Sequence, residues 1–160
     1  MRPWARRAPE VAYLFNPAFL GEVLHRFCRA YTAESGRPLP YALLFVALPI
    51  LTFEDLRETI RPRSHAQLHT WVRANPLVRQ QLPARARQLL PYAREAVMLL
   101  LATGRLSLDG GAVRAERRRR GAGGTGDRPH DSIASAEALG RWFGRVADDR
   151  NIFIMLGVRL

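Results

Sequence analysis

At 160 residues the chain is long enough to bury one real hydrophobic core, and its length suits a single domain over residues 1–160 better than two. Its 25 basic residues are all arginine and face 14 acids, a formal charge of +11. That balance favours an acidic partner, nucleic acid or protein, and the lack of lysine excludes P-loop, Schiff-base and kinase-type lysine chemistry.

The N-terminus, MRPWARRAPE, has arginines but no apolar run of signal-peptide type behind them. Asn16-Pro17 then marks a helix start, because Asn accepts from free first-turn N–H groups and Pro at the first helical position gives up a donor that has no partner there. Phe19, Leu20, Val23, Leu24, Phe27 and Tyr31 recur at helical spacing until Gly36 and Pro38, with Glu22, Arg26 and Arg29 opposite. Cys28, beside Phe27, reads as a buried small hydrophobe, and as the only cysteine it rules out an internal disulfide and a Cys-based zinc cluster. Tyr41 to Leu51 is apolar on every side, which fits a buried helix better than a central strand. That stretch contains Pro49 and is far short of the roughly 20 residues of a membrane span, so no membrane partner and a cytoplasmic location are expected.

Thr52 with Asp55 resembles a capping box ahead of FEDLRETIR, which Pro62 stops. Ser64 is read as the cap of HAQLHTWVRA, with Leu68, Trp71 and Val72 on one face, and Asn75-Pro76 closes that helix and starts the next. Pro83 predicts a break or kink in a run ending at Pro91, and Tyr92 to Thr103 reads as a further apolar helix with Gly104 past its end. The period then changes to two: Leu106, Leu108 and Val113 around Asp109-Gly110-Gly111 predict a β-hairpin over 105–114. The fold expected is mainly α, a compact helical domain with one small β-hairpin, and a helix followed by a hairpin is the pattern of a winged helix. Residues 115–131 are charged, Gly-rich and aperiodic, which predicts a flexible basic loop. Ser132 begins the last long helix, with Leu139, Trp142, Phe143 and Val146 inward, and Gly157 behind NIFIML favours one or two final helical turns.

The ordered segments NPAFLGEVLHRF, LPYALLFVALPIL, LHTWVRANP, LPYAREAVMLLLATGRL, LGRWFGR and IFIMLGVRL together resemble the middle-component family of bacterial three-component ABC systems. The resemblance implies a small non-catalytic adaptor joining an SMC-like ABC ATPase to an effector protein in an anti-phage or anti-plasmid defence module, with no cofactor. The residues that carry it are Asn16, Pro17, Trp71, Asn75, Pro76, Gly140, Arg141, Trp142 and Gly157, all structural in character. In such an adaptor Trp4, Trp71 and Trp142 are candidate interface anchors, although Trp142 also fits a core position. The Gly-rich loop is longer and more basic than the family pattern.

The strongest local signal of partner contact is the set Arg114, Arg117, Arg118, Arg119, Arg120 and Arg128, opposed by two acids, Glu116 and Asp127. It suits a phosphate backbone or an acidic protein surface, and any DNA contact through the complex is expected to ignore sequence. A second basic zone runs from Arg57 to Arg94. The alternative function is a free-standing winged-helix DNA-binding protein, although the helix before the hairpin offers only Arg94 and Glu95 as charges and reads as core. GAGGTG at 121–126 satisfies G-x-G-x-x-G but lacks the strand and helix that a dinucleotide site needs. His65 and His69 have i,i+4 spacing without the adjacent Glu of a zincin or a third ligand. Asp148-Asp149, read as a charged helix end, point about 100° apart and make no acid/base pair. No nucleophile context occurs, so no catalysis is expected.

Overall fold

The computed structural model describes residues 15–62, 66–116 and 130–158. The first helix, α1, spans Pro17–Ser35, and the Oδ1 of Asn16 accepts from the Ala18 N–H at 2.8 Å. Gly36 closes it at φ 68°, donating to the Thr32 carbonyl from a left-handed conformation that a Cβ would strain. Its apolar stripe is buried from Leu20 to Tyr31, Cys28 included, with Phe19 half-buried, and burial pushes the Cys28 thiol up to about 12, leaving almost no thiolate to react.

Helix α2, Tyr41–Thr52, is the buried helix that its all-round apolarity implies, with Pro49 in its last turn. Thr52 is its final residue and caps nothing. Phe53 stands at the N-cap of the next helix, α3, Glu54–Arg57, without a side-chain bond, and the chain leaves helix well before Pro62. The capping-box expectation fails because Thr52 still belongs to α2 and Phe53 takes the N-cap, while Asp55 bonds Arg85. Helix α4, Leu68–Ala74, begins later than Ser64 implies; Ser64 itself lies outside the described residues.

Helix α5 is one continuous element, Pro76–Ala102, not two separated at Pro83 or Pro91. Each proline removes one donor, and the carbonyls deprived of it belong to Arg79 and Arg87, both exposed, where water can replace the lost bond. The rest of the ladder and one buried face, from Val78 to Leu100, hold the helix together. Gly104 at φ 64° reverses the chain, with the Arg105 N–H reaching the Leu100 carbonyl at 2.8 Å.

The hairpin follows: β2, Leu106–Asp109, pairs with β3, Ala112–Ala115, through a two-residue turn in which Gly110 and Gly111 have φ 54° and 80°. A third strand joins them. β1, Leu39–Pro40, pairs with β3 in antiparallel register, Leu39 opposite Val113, giving the order β1-β3-β2. Two residues, one of them proline, offer no alternation to read, so this strand is invisible to periodicity.

Helix α6, His130–Gly144, starts two residues before Ser132 and packs along α1 in the most extensive contact of the fold. Gly140 and Gly144 permit that approach: a Cβ at Gly140 would overlap the Phe27 carbonyl, and one at Gly144 would lie 2.9 Å from the Tyr31 carbonyl. Phe27 and Phe143 meet edge to face at 5.3 Å between centroids. Helix α7, Asp149–Leu156, ends at Gly157, φ 71°, which sits against Arg79 of α5.

Candidate functional site

Two polar clusters fasten the ends of α1. At the first, Glu22 accepts from Arg26 Nε at 2.9 Å and from Arg105 Nη2 at 2.6 Å, and Arg26 reaches Glu137 at 3.3 Å, so α1, the hairpin root and α6 share one network. Burial works against ionising Glu22, but the hydrogen bonds and charges of Arg26 and Arg105 outweigh it and hold the carboxyl down at about 2. Beside it, the buried His25 ring places Nε2 2.9 Å from the Glu116 carbonyl. A carbonyl only accepts, so Nε2 carries the proton and Nδ1 is bare, buried and without a partner among the described residues. Burial is the main cause that lowers the His25 pKa, and the nearby Arg105 charge adds to it against the opposing pull of the Glu116 carbonyl. Ser107 Oγ donates to Glu116 Oε1 at 2.7 Å, so Glu116 is held by both backbone and side chain just before the arginine run begins.

At the other end, Tyr31 donates to Asp149 Oδ1 at 2.6 Å and Arg37 reaches Asp149 Oδ2 at 3.4 Å and the Val146 carbonyl at 3.0 Å. Burial, then the hydrogen bond to Asp149 and its negative charge, push the Tyr31 pKa up. Asp148 and Asp149 therefore begin a helix instead of ending one: Asp148 Oδ1 caps α7 by accepting from the Arg150 N–H at 3.0 Å. Their separate tasks, a cap and an anchor for α1, explain why two acids stand side by side.

Of the candidate contact residues, Arg114 lies exposed on β3, whereas Arg117, Arg118, Arg119, Arg120 and Arg128 lie outside the described residues, as do Trp4 and His65. His69 is exposed and within 3.2 Å of Thr70 Oγ1; no group of three metal-ligating side chains gathers among the described residues. The second basic zone is sharper in space than in sequence. No acid occurs between Glu58 and Glu95, and Arg61, Arg73, Arg79, Arg87 and Arg94 are all exposed, with no ion-pair partner among the described residues. Arg85 turns back, forming two 2.7 Å bonds to Asp55 and lying 4.4 Å over the Phe53 ring.

The family-motif residues are structural, each for a separable reason. Asn75 stands at the N-cap of α5, where its carbonyl accepts from the Val78 N–H at 3.0 Å, but its side chain makes no cap bond there. Its Nδ2 donates to the Trp71 carbonyl at 2.8 Å, closing α4, while Pro76 opens α5. Trp71 is buried, not an exposed anchor: its Nε1 donates to Thr59 Oγ1 at 3.0 Å and its ring lies 5.8 Å from that of Trp142, which is buried too. Trp142 floors two shallow grooves, one of about 410 Å³ between α4 and α7 and one of about 430 Å³ between α4 and the turn at Thr59. Arg141 is half-buried beside it. A family model, that of the ABC-three component (ABC-3C) system Middle Component 3, matches residues 4–160. The chain belongs to this middle-component family. No curated protein and no solved structure matches it. The middle component is thereby one part of a multi-component ABC system and has protein partners. Among its described residues no helix is long and apolar enough to cross a membrane.

Sequence reasoning missed the Glu22–Arg105, His25–Glu116 and Tyr31–Asp149 contacts of the middle component, which join residues more than eighty apart. Only the i,i+4 pair Glu22–Arg26 carried a local signal.

Proposed function

We propose that this chain is a non-catalytic adaptor that joins an SMC-like ABC ATPase to an effector in a cytoplasmic bacterial defence complex directed against phage or plasmids. The match of the middle-component family over residues 4–160 carries this reading. The arrangement of the chain supports it: polar clusters fasten helices together, whereas the arginines without an ion-pair partner among the described residues stand on the outside. Co-expression with the ATPase and effector reading frames encoded beside it tests the reading. A stoichiometric three-part complex is expected, with no ATP hydrolysis or DNA cleavage by the adaptor alone; failure to bind either neighbour overturns it.

One observation favours a second reading, a free-standing winged-helix DNA-binding protein. Helix, strand, helices, and then a hairpin whose inner strand pairs back to the first strand, is a winged-helix order. Here, however, the helix ahead of the hairpin ends in exposed Met98 and Leu99, a poor surface for a groove, so DNA contact falls to Arg114 and the arginines beyond it. Tight, steeply salt-dependent and sequence-selective duplex binding by the isolated chain would favour this alternative.

A further inference from the structure

The outer face of α5 has a regularity that its packing does not use. Leu77, Ala84, Pro91 and Met98 recur every seven residues and are all exposed, Leu77 to 58% and Met98 to 64%. One flank of this strip is Gln80, Arg87 and Arg94, the other Gln81, Gln88 and Glu95. A straight helix drifts about 20° per heptad, so the four apolar positions stay within about 60° of one another along about 30 Å. The core takes the opposite side through Val78, Leu82, Leu89, Ala93, Ala96 and Leu100. Four exposed apolar positions at seven-residue spacing, with Arg87 and Arg94 along one edge, make a narrow stripe of the kind that packs against another helix.

We infer that this seam docks an acidic amphipathic helix of a protein partner, its apolar residues against Leu77, Ala84, Pro91 and Met98 and its carboxylates opposite Arg87 and Arg94. The inference rests on the adaptor reading, which requires subunit surfaces, and names one of them. Charge selects the occupant. Arg87 and Arg94 have no ion-pair partner among the described residues, and the chain has no acid from residue 59 to residue 94 that could supply one locally. A second copy would set these arginines against themselves, and residues 1–14 bring Arg2, Arg6 and Arg7 against the single Glu10, again the wrong sign. A duplex would answer Arg87 and Arg94 but leave Leu77 and Met98 in water.

The test uses the full chain co-expressed with the two neighbouring components, carrying a photo-cross-linking residue at position 84 in the middle of the strip. Cross-links to an acidic helical segment of one component are expected. The double variant Arg87→Glu/Arg94→Glu and the single variant Met98→Glu should each lower the yield of assembled complex about tenfold or more while thermal melting is unchanged. If the unmodified chain assembles with neither component, the adaptor reading falls and this inference with it. If it assembles and the variants assemble equally well, or the cross-links reach a non-acidic segment, residues 1–14 or a second copy of the chain, the seam is not the docking face. Cross-linking at position 84 that appears only when DNA is added likewise overturns it.

Discussion

The two sides of the molecule are built to opposite rules. Where α1 meets α6, glycines remove side chains so that backbones nearly touch, Phe27 and Phe143 interlock, and a network of carboxylates and arginines closes each end. Along the outer side of α5, by contrast, stand exposed apolar side chains and arginines that have no ion-pair partner among the described residues. The first side has used its chemistry for folding. The second leaves its chemistry unused by the packing of the described residues.

The largest effects should come from the closed side. Trp142→Ala removes a buried ring that packs on Trp71 and floors two grooves, and is expected to cost about 3–5 kcal/mol in thermal or denaturant unfolding. A variant as stable as the parent would mean that the ring does not contribute to the core. Gly140→Ala follows, at about 1–3 kcal/mol: one methyl group has to move against the Phe27 carbonyl and the Ala30 side chain, and a helix backbone yields far less than a side chain. If α1 and α6 tolerate that methyl without loss, their backbones do not need a glycine at the contact. Asn16→Ala loses one cap bond and should cost about 1 kcal/mol.

How far this division was legible in the sequence depends on distance along the chain. The α1 cap, the buried α2, the hairpin and its glycine turn, and the final turns of α7 follow from neighbours a few residues apart, and the structure bears them out. Pro83 and Pro91 misled because propensity prices a proline in an isolated helix, whereas α5 is held by tertiary burial. Trp71 misled because an indole suits an interface and a core equally well, and only Thr59 at 3.0 Å decides between them. The seam of α5 was present as letters. The expectation of two helices divided near Pro91 concealed a period that needs one helix to exist.

The polar cluster at the hairpin root adds a pH dependence to the closed side. His25 has a folded pKa below its ordinary 6.5, so the unfolded chain binds the proton more readily. Its contribution is intact above pH 6.5 and is lost as pH falls through 6.5 towards the folded value. Glu22 behaves as a carboxylate whose folded pKa is depressed, from 4.5 to about 2: its contribution is present above 4.5 and is lost as pH falls to about 2. Unfolding free energy measured against pH should therefore decline in two stages, an upper one that opens at pH 6.5 through His25 and a lower one that opens at 4.5 through Glu22. His25→Gln, which keeps a donor for the Glu116 carbonyl, should remove the upper stage and leave the lower one; an unchanged upper stage would assign it to another group.

The smallest effect is expected on the open side, and it is the one that tells the two sides apart. Leu77→Ser and Met98→Ser remove apolar surface that is already mostly in water, with no cavity left behind and no hydrogen bond broken, so each should change stability by less than about 0.5 kcal/mol. Both positions lie on a helix whose ladder is unaffected, and serine costs only a few tenths of a kcal/mol in helix propensity. Equilibrium unfolding in urea at a fixed pH is the measurement, because a common denaturant slope would show that the same surface is exposed on unfolding in each variant. A loss of 2 kcal/mol or so at either position would mean that the side chain is covered by another part of the same chain. The outer face of α5 would then belong with α1 and α6 among the surfaces already used for folding.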